Sequence, residues 1–290
     1  MAVMRQRLSS RVVSVLGMNP GPFTLGGTNT YLVGTGASRL LIDCGGGAPT
    51  AAAYVDNLAS AMAEQEVDSL QAILLTHWHH DHTGGIAAVL ERWPGTPLLK
   101  LIPSAMEEEE AYDEESGGAP DFAPFGHSYC ALSSSELITT EGASLRVIRT
   151  PGHTLDHISL YCEEDGTLIA GDCILGGTDG TIFSNLAAYL TSLRKLLGMR
   201  PVSIYPGHGS FIEDGVAAIE KYIAHREKRI EQVRAALSTE ARTLTAIVET
   251  LYPELEMALI PAATNNTRLV LRALAQEGSG AAATCLAAEE

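Results

Sequence analysis

Short apolar runs recur along the chain at residues 11–16, 30–33, 40–43, 72–76, 98–102, 145–149, 168–170 and 202–205, and each predicts a strand. Between them, apolar positions return at helical spacing over 51–63, 85–92 and 186–197. Strands alternating with helices over 290 residues imply a layered α/β fold. Residues 105–135 break the rhythm. Glu107 to Glu110, Asp113-Glu114-Glu115 and Ser116-Gly117-Gly118 read as an acidic, solvated insertion, or as a lid carrying Tyr112, His127 or Tyr129. From Asp214 the pattern turns helical. Val216, Ile219, Ile223, Ile230, Val233 and Leu237 predict one long amphipathic helix over 215–237. Two shorter helices follow at 243–251 and 267–276, then a frayed tail over 278–290. The expected organisation is a catalytic domain over 1–214 and a small helical domain over 215–290.

Composition narrows the function. A formal net charge of −16 argues against a broad basic surface for nucleic acid. No apolar stretch approaches the roughly 18–20 residues of a membrane helix, so no membrane partner is expected. The five cysteines (Cys44, Cys130, Cys162, Cys173, Cys285) are scattered, with no C-x-x-C, which suits reduced thiols in an intracellular compartment. Arg5, Arg7 and Arg11, with no acidic residue before Asp43, resemble a mitochondrial leader. The fold is expected to begin by about Val12, so a cytoplasmic location is favoured and a mitochondrial one is the alternative.

The chemistry concentrates in His77-Trp78-His79-His80-Asp81-His82, between the strand at 72–76 and the helical run that follows. Imidazoles two residues apart in an extended turn point the same way, so His77 and His79 can share a cation. Asp81 and His82 fall at the helix entrance and face the neighbouring volume. One turn thus supplies ligands to two adjacent metals. Two cations need further ligands, and three follow β-like runs: His153 in Pro151-Gly152-His153, Asp172 in Gly171-Asp172, and His208 in Pro206-Gly207-His208. One metal would take His77, His79 and His153, and the other Asp81, His82 and His208. Asp172 would bridge both. His80 is out of phase and expected to point away. His157, beside Asp156, is either an orienting residue or a proton donor to the leaving group. His225 is expected to face solvent, and Cys173 to be a small packed residue.

The set His77-x-His79-x-Asp81-His82, His153, Asp172 and His208 resembles the metallo-β-lactamase superfamily, in its glyoxalase II-like hydrolase branch. Asn19-Pro20-Gly21-Pro22, Gly27-Thr28-Asn29-Thr30-Tyr31 and Gly171-Asp172-Cys173-Ile174-Leu175-Gly176 narrow the likeness to the β-lactamase-like protein 2 family. Tyr205-Pro206-Gly207-His208-Gly209 and the later His225-Arg226 complete it. The resemblance spans roughly residues 10–275, except 105–135. It implies a four-layer αββα sandwich, two zinc ions and a C-terminal domain like a reduced winged helix. Animal members are similar to mitochondrial single-strand-specific endoribonucleases, and fungal members to thioesterases that release acyl chains from carrier proteins. Two departures stand out: the acidic insertion, and Leu155 where the animal proteins carry an acidic residue.

Zinc ions about 3.5–4 Å apart would hold a bridging hydroxide, which Asp81 orients and whose proton it accepts. Asn29, His225, Arg226 and Arg229 are the candidate substrate contacts. The resemblance favours single-stranded RNA as substrate. The alternative, an acyl thioester of carrier-protein or glutathione type, is favoured by net charge.

Overall fold

Along the first sheet, Val13, Val15, Leu32, Leu41, Ile73 and Leu75 pack on one side and Val12, Tyr31, Val33, Leu40, Ile42 and Leu74 on the other. Strand side chains alternate between faces, so this sheet is buried on both. The structure is a computed structural model that describes residues 3–107, 121–122, 126–239 and 243–288. The strands, in spatial order, are β1 (Arg5–Arg7), β2 (Val12–Leu16), β3 (Asn29–Val33), β4 (Ser38–Ile42), β5 (Ser69–Leu75), β6 (Leu98–Lys100) and β7 (Tyr129–Ala131). β1 to β4 form an antiparallel meander, while β5, β6 and β7 add in parallel. A parallel step needs a crossover. Helix α1 (Ala51–Glu64) provides the first, and α2 (His80–Thr83) with α3 (Ile86–Arg92) the second.

The second sheet holds β8 (Leu137–Thr140), β9 (Ala143–Arg149), β10 (Ile158–Cys162), β11 (Thr167–Gly171) and β12 (Ser203–Pro206), in the order β12-β11-β10-β9-β8. Its inner face sets Val147, Ile158, Leu160 and Ile169 against Ile42 and Leu74 of the first sheet. Its outer face packs on α4 (Leu186–Met199), α5 (Gly215–Thr239), α6 (Leu244–Leu251), α7 (Ile260–Gln276) and α8 (Gly280–Ala287). Tyr54, Leu58 and Met62 of α1 and Ile86 and Val89 of α3 cover the far side of the first sheet. The result is the expected αββα sandwich. A fully buried ion pair between Lys100 and Asp156 ties β6 to the loop after β9, across the two sheets.

Several boundaries differ from expectation. The chain enters the sheet at Arg5, before Val12, with Arg5 donating to Asn57 Oδ1 (2.9 Å) and pairing with Glu64. Arg11 pairs with Asp165 at 2.7 Å. Part of the acidic segment is strand, since β7 pairs with β6 and Tyr129 packs on the apolar cluster beneath α1 and α3. Tyr129 therefore belongs to the sheet and not to a lid. Tyr112 lies outside the described residues. Helix α7 starts seven residues early because Pro261 fits its first turn, where no amide bond is lost. The frayed tail is instead α8, whose start is capped by Ser279 accepting from the Ala282 amide. Helices α5 to α8 share one continuous apolar core with α4 and the second sheet, joining Val233, Leu271 and Cys285 to Leu168 and Tyr189. No strand follows Pro206 among the described residues, and among them no helix is long and apolar enough to cross a membrane.

Candidate metal centre

The loops after β5, β9, β11 and β12 converge at one edge of the sandwich and carry His77, His153, Asp172 and His208. Asp43, just beyond β4, organises the first of them. Its φ is +60°, a left-handed conformation uncommon outside glycine. Its carboxylate accepts from the Thr76 amide, from Thr76 Oγ1 and from His82 Nδ1, each at 2.8 Å. With its hydroxyl proton given to Asp43, Thr76 Oγ1 accepts from His77 Nδ1 at 2.9 Å. His153 Nδ1 donates to the Ile182 carbonyl at 2.6 Å. Each of these rings therefore holds a proton on Nδ1 and aims Nε2 inward, the arrangement that presents an imidazole to a metal.

The inward atoms form two groups, each able to hold a metal ion. In the first, His79 Nδ1 lies 3.0 Å from His77 Nε2 and 2.9 Å from His153 Nε2, and Asp172 closes the group. In the second, His208 Nε2 lies 3.0 Å from Asp81 Oδ2, 3.3 Å from Asp172 Oδ2 and 3.2 Å from His82 Nε2. Asp172 belongs to both groups, and within each the offered atoms lie within 4.8 Å of one another. Gly207 leaves the space: a Cβ there would run into the Asp172 carboxylate and lie 3.0 Å from His82.

Three observations fit this donor set to divalent cations. Asp172 Oδ1 is buried without a hydrogen-bond partner, which is costly unless something else satisfies it. Burial, with His82, His79 and His153 nearby, holds His77 well below the usual imidazole range, and burial and His153 lower His79 to about 3. Both stay in the neutral form that binds metal. The second group is drawn toward positive charge. Burial alone would raise Asp172, but His208 and His82 hold it well below the carboxylate range. Burial is likewise outweighed at Asp81, which His82 and His208 keep at about 2. Against their own burial, Asp172 and Asp81 push His82 well up and His208 up to about 9. A nitrogen- and oxygen-ligated cation answers that demand.

The structure thus gathers His77, His79, His153, Asp81, His82, Asp172 and His208. His80 stands outside both groups, against Gly47. His157 is fully buried and does not match a proton donor to a leaving group. Its Nε2 accepts from the Asp172 amide (3.1 Å) and its Nδ1 donates to Thr150 Oγ1 (2.8 Å), so Thr150 orients the ring and the ring holds the Asp172 backbone in place. Gly171, at φ +52°, keeps that approach open, since a Cβ would sit 2.7 Å from His157 Nε2. Asn29 spends its amide on the Pro206 and Gly209 carbonyls, bracing the His208 loop. Arg229 stacks over Tyr252 with its Cζ 4.2 Å from the ring centroid and donates to the Leu251 carbonyl. Neither residue lines the cavity that opens above the two ligand groups. His225 is half-buried beside Asp179, not turned to solvent, and with Arg226 it does line the cavity.

The residue missed in the sequence is Asp43. Its signal is an acidic residue closing the apolar run at 40–43, ahead of Gly45-Gly46-Gly47. Asp43→Ala is expected to lower metal affinity about 10- to 100-fold, the usual effect of losing a carboxylate behind a histidine ligand. Calorimetric zinc titration measures this, and wild-type affinity in the variant would refute the role.

Above the two groups opens a cavity of about 310 Å³ with His79, Asp81, His153 and Asp172 at its base. Its walls are mostly apolar: Phe23, Leu175, Ile182, Tyr252, Leu255 and Leu259. Much of this wall comes from the segment joining α6 to α7. The basic side chains on it are His225 and Arg226.

Residues 23–208 match the profile described as the metallo-beta-lactamase superfamily. The chain is 40% identical to a beta-lactamase-like protein 2 homolog of Drosophila melanogaster, over 94% of this chain and 90% of that one. It is 37% identical to an atrochrysone carboxyl ACP thioesterase of Aspergillus fumigatus, over 81% of this chain and 67% of that one. In fold it is similar to a beta-lactamase domain protein from Burkholderia ambifaria, with a TM-score of 0.75, 23% identity, and 94% and 89% of the two chains covered.

Proposed function

Because the chain belongs to the metallo-β-lactamase superfamily, among the beta-lactamase-like protein 2 homologs, we propose that it is a zinc-dependent hydrolase of acyl thioesters. The observation that carries the substrate class is the apolar cavity at the base of which the ligand candidates lie. At about 310 Å³ it suits a small acyl group, and a mostly apolar wall is what such a group selects. The net charge of −16 and the scarcity of cations around the cavity oppose a polyanion. The Aspergillus relative is named as a thioesterase of a carrier protein.

In this reading His77, His79 and His153 would hold one zinc, Asp81, His82 and His208 the other, and Asp172 both. Zinc bound there would supply Lewis acidity, lowering the proton affinity of water toward neutral pH and offsetting negative charge on the substrate. The protein's own groups set the rest. The Asp81 side chain is 29% exposed and faces the cavity, and its low pKa keeps it anionic, so it can orient a water by accepting a hydrogen bond from it. His157 and Thr150 keep Asp172 at a fixed depth. Phe23, Leu175 and Tyr252 hold the acyl body and keep bulk water out.

Single-stranded RNA is the second reading, favoured by the 40% identity to an animal homolog over nearly the full chain. Assaying both substrates side by side across a salt series decides. Thioester turnover should survive salt, with RNA left intact. Salt-sensitive cleavage of RNA, its affinity falling with a log–log slope of about −0.7 per phosphate contacted, would overturn the first reading.

A further inference from the structure

Arg226 stands on the cavity wall with only 5% of its surface exposed. Its Nη2 donates to the Asp179 backbone carbonyl and lies 3.0 Å from His225 Nδ1, and its Cζ sits 5.7 Å from the Phe183 ring centroid. Its Nε is buried with no hydrogen-bond partner. Among the described residues it forms no ion pair, and the Asp179 carboxylate pairs with Lys221 at 2.8 Å. His225 offers no counter-charge, an imidazole being neutral or cationic, and its Nδ1 donates to the same Asp179 carbonyl. The other polar side chains of this wall are committed to the fold. Thr181 Oγ1 donates to the Asp172 carbonyl, and Asn266 accepts from the Phe183 amide and donates to the Thr181 carbonyl.

Charges this deeply buried are ordinarily paired. A guanidinium is also the side chain best shaped to grip a planar or tetrahedral anion through two donors. We infer that Arg226 receives an anionic group of the substrate, a carboxylate or a phosphate, carried on the apolar body that fills the cavity. For the scissile bond this rests on the thioesterase reading; for the anion it rests on Arg226 alone. The preferred substrate is then an anionic amphiphile, and neutral acyl thioesters of equal size are poorer.

The test titrates inorganic phosphate and succinate by calorimetry into wild-type protein, Arg226→Gln and Arg226→Lys. Each is measured metal-loaded and metal-free, because bound metal also takes up phosphate. In the metal-free wild type one anion should bind at a single site, and Arg226→Gln should weaken it by about tenfold or more. Stronger phosphate binding identifies a phosphate-bearing substrate, and stronger succinate binding a carboxylate. A folded Arg226→Gln that binds both anions as wild type does, or a wild type that binds neither, overturns the inference. Should Arg226→Gln fail to fold, the Arg226 Nε resonance of wild-type protein decides. It is assigned by its loss in Arg226→Lys, and it must shift on titration. A resonance unmoved by either anion overturns the proposal. Hydrolysis is scored separately: if no thioester is cleaved, charged or neutral, the proposed reaction fails while the anion titration still stands.

Discussion

Replacing Asp172 by alanine is expected to cut turnover by on the order of a thousandfold, about 4 kcal/mol of barrier, while leaving the fold in place. Asp172 is the residue common to both ligand groups, and its carboxylate contacts His82, His153 and His208. Without it each group loses a donor and the link to the other. The backbone around it has separate support. The Asp172 amide donates to His157 and its carbonyl accepts from Thr181, and neither bond involves the carboxylate. Circular dichroism should therefore match wild type while elemental analysis finds less metal. A rate within a few-fold of wild type would exclude the shared-carboxylate arrangement.

The second large effect is removal of the metal. Chelation should abolish turnover, and adding zinc back should restore it. Stability should move too, because the ligands are buried polar groups that serve the fold only when satisfied. A cation present at a hundred times its dissociation constant adds about 2.7 kcal/mol. For a chain of this length that corresponds to a rise in Tm of roughly 4–5 °C for each such cation. Calorimetric scans with and without chelator measure it, alongside elemental analysis for about two zincs per chain. Full activity in verified metal-free protein would end the zinc reading.

Ligand candidates are legible in the sequence because each pairs a metal-capable side chain with a turn at the end of an apolar run. His77 to His82 advertise themselves by density, and His153, Asp172 and His208 by a preceding glycine. Asp43 is harder to see. It ends an ordinary strand, and its partners His82 and Thr76 are more than thirty residues away. β10 (Ile158–Cys162) escapes notice because it follows His157 after no turn signal of its own, and the edge strand β8 (Leu137–Thr140) because it has too few apolar positions. The status of Arg226 is likewise hidden. On its helix it sits among Glu227, Lys228 and Arg229 like a surface cation. Only the packing of Phe183 and Asp179 against it shows the burial.

The ligand candidates fall between residues 77 and 208, whereas Tyr252, Leu255, Leu259, Ala262, Ala263 and Asn266 come from a later stretch. Part of the cavity wall is therefore encoded apart from the ligand candidates, while Leu175 and Ile182 are not. The segment from the end of α6 to the start of α7 can thus vary in sequence and reshape that side of the cavity without touching a ligand candidate.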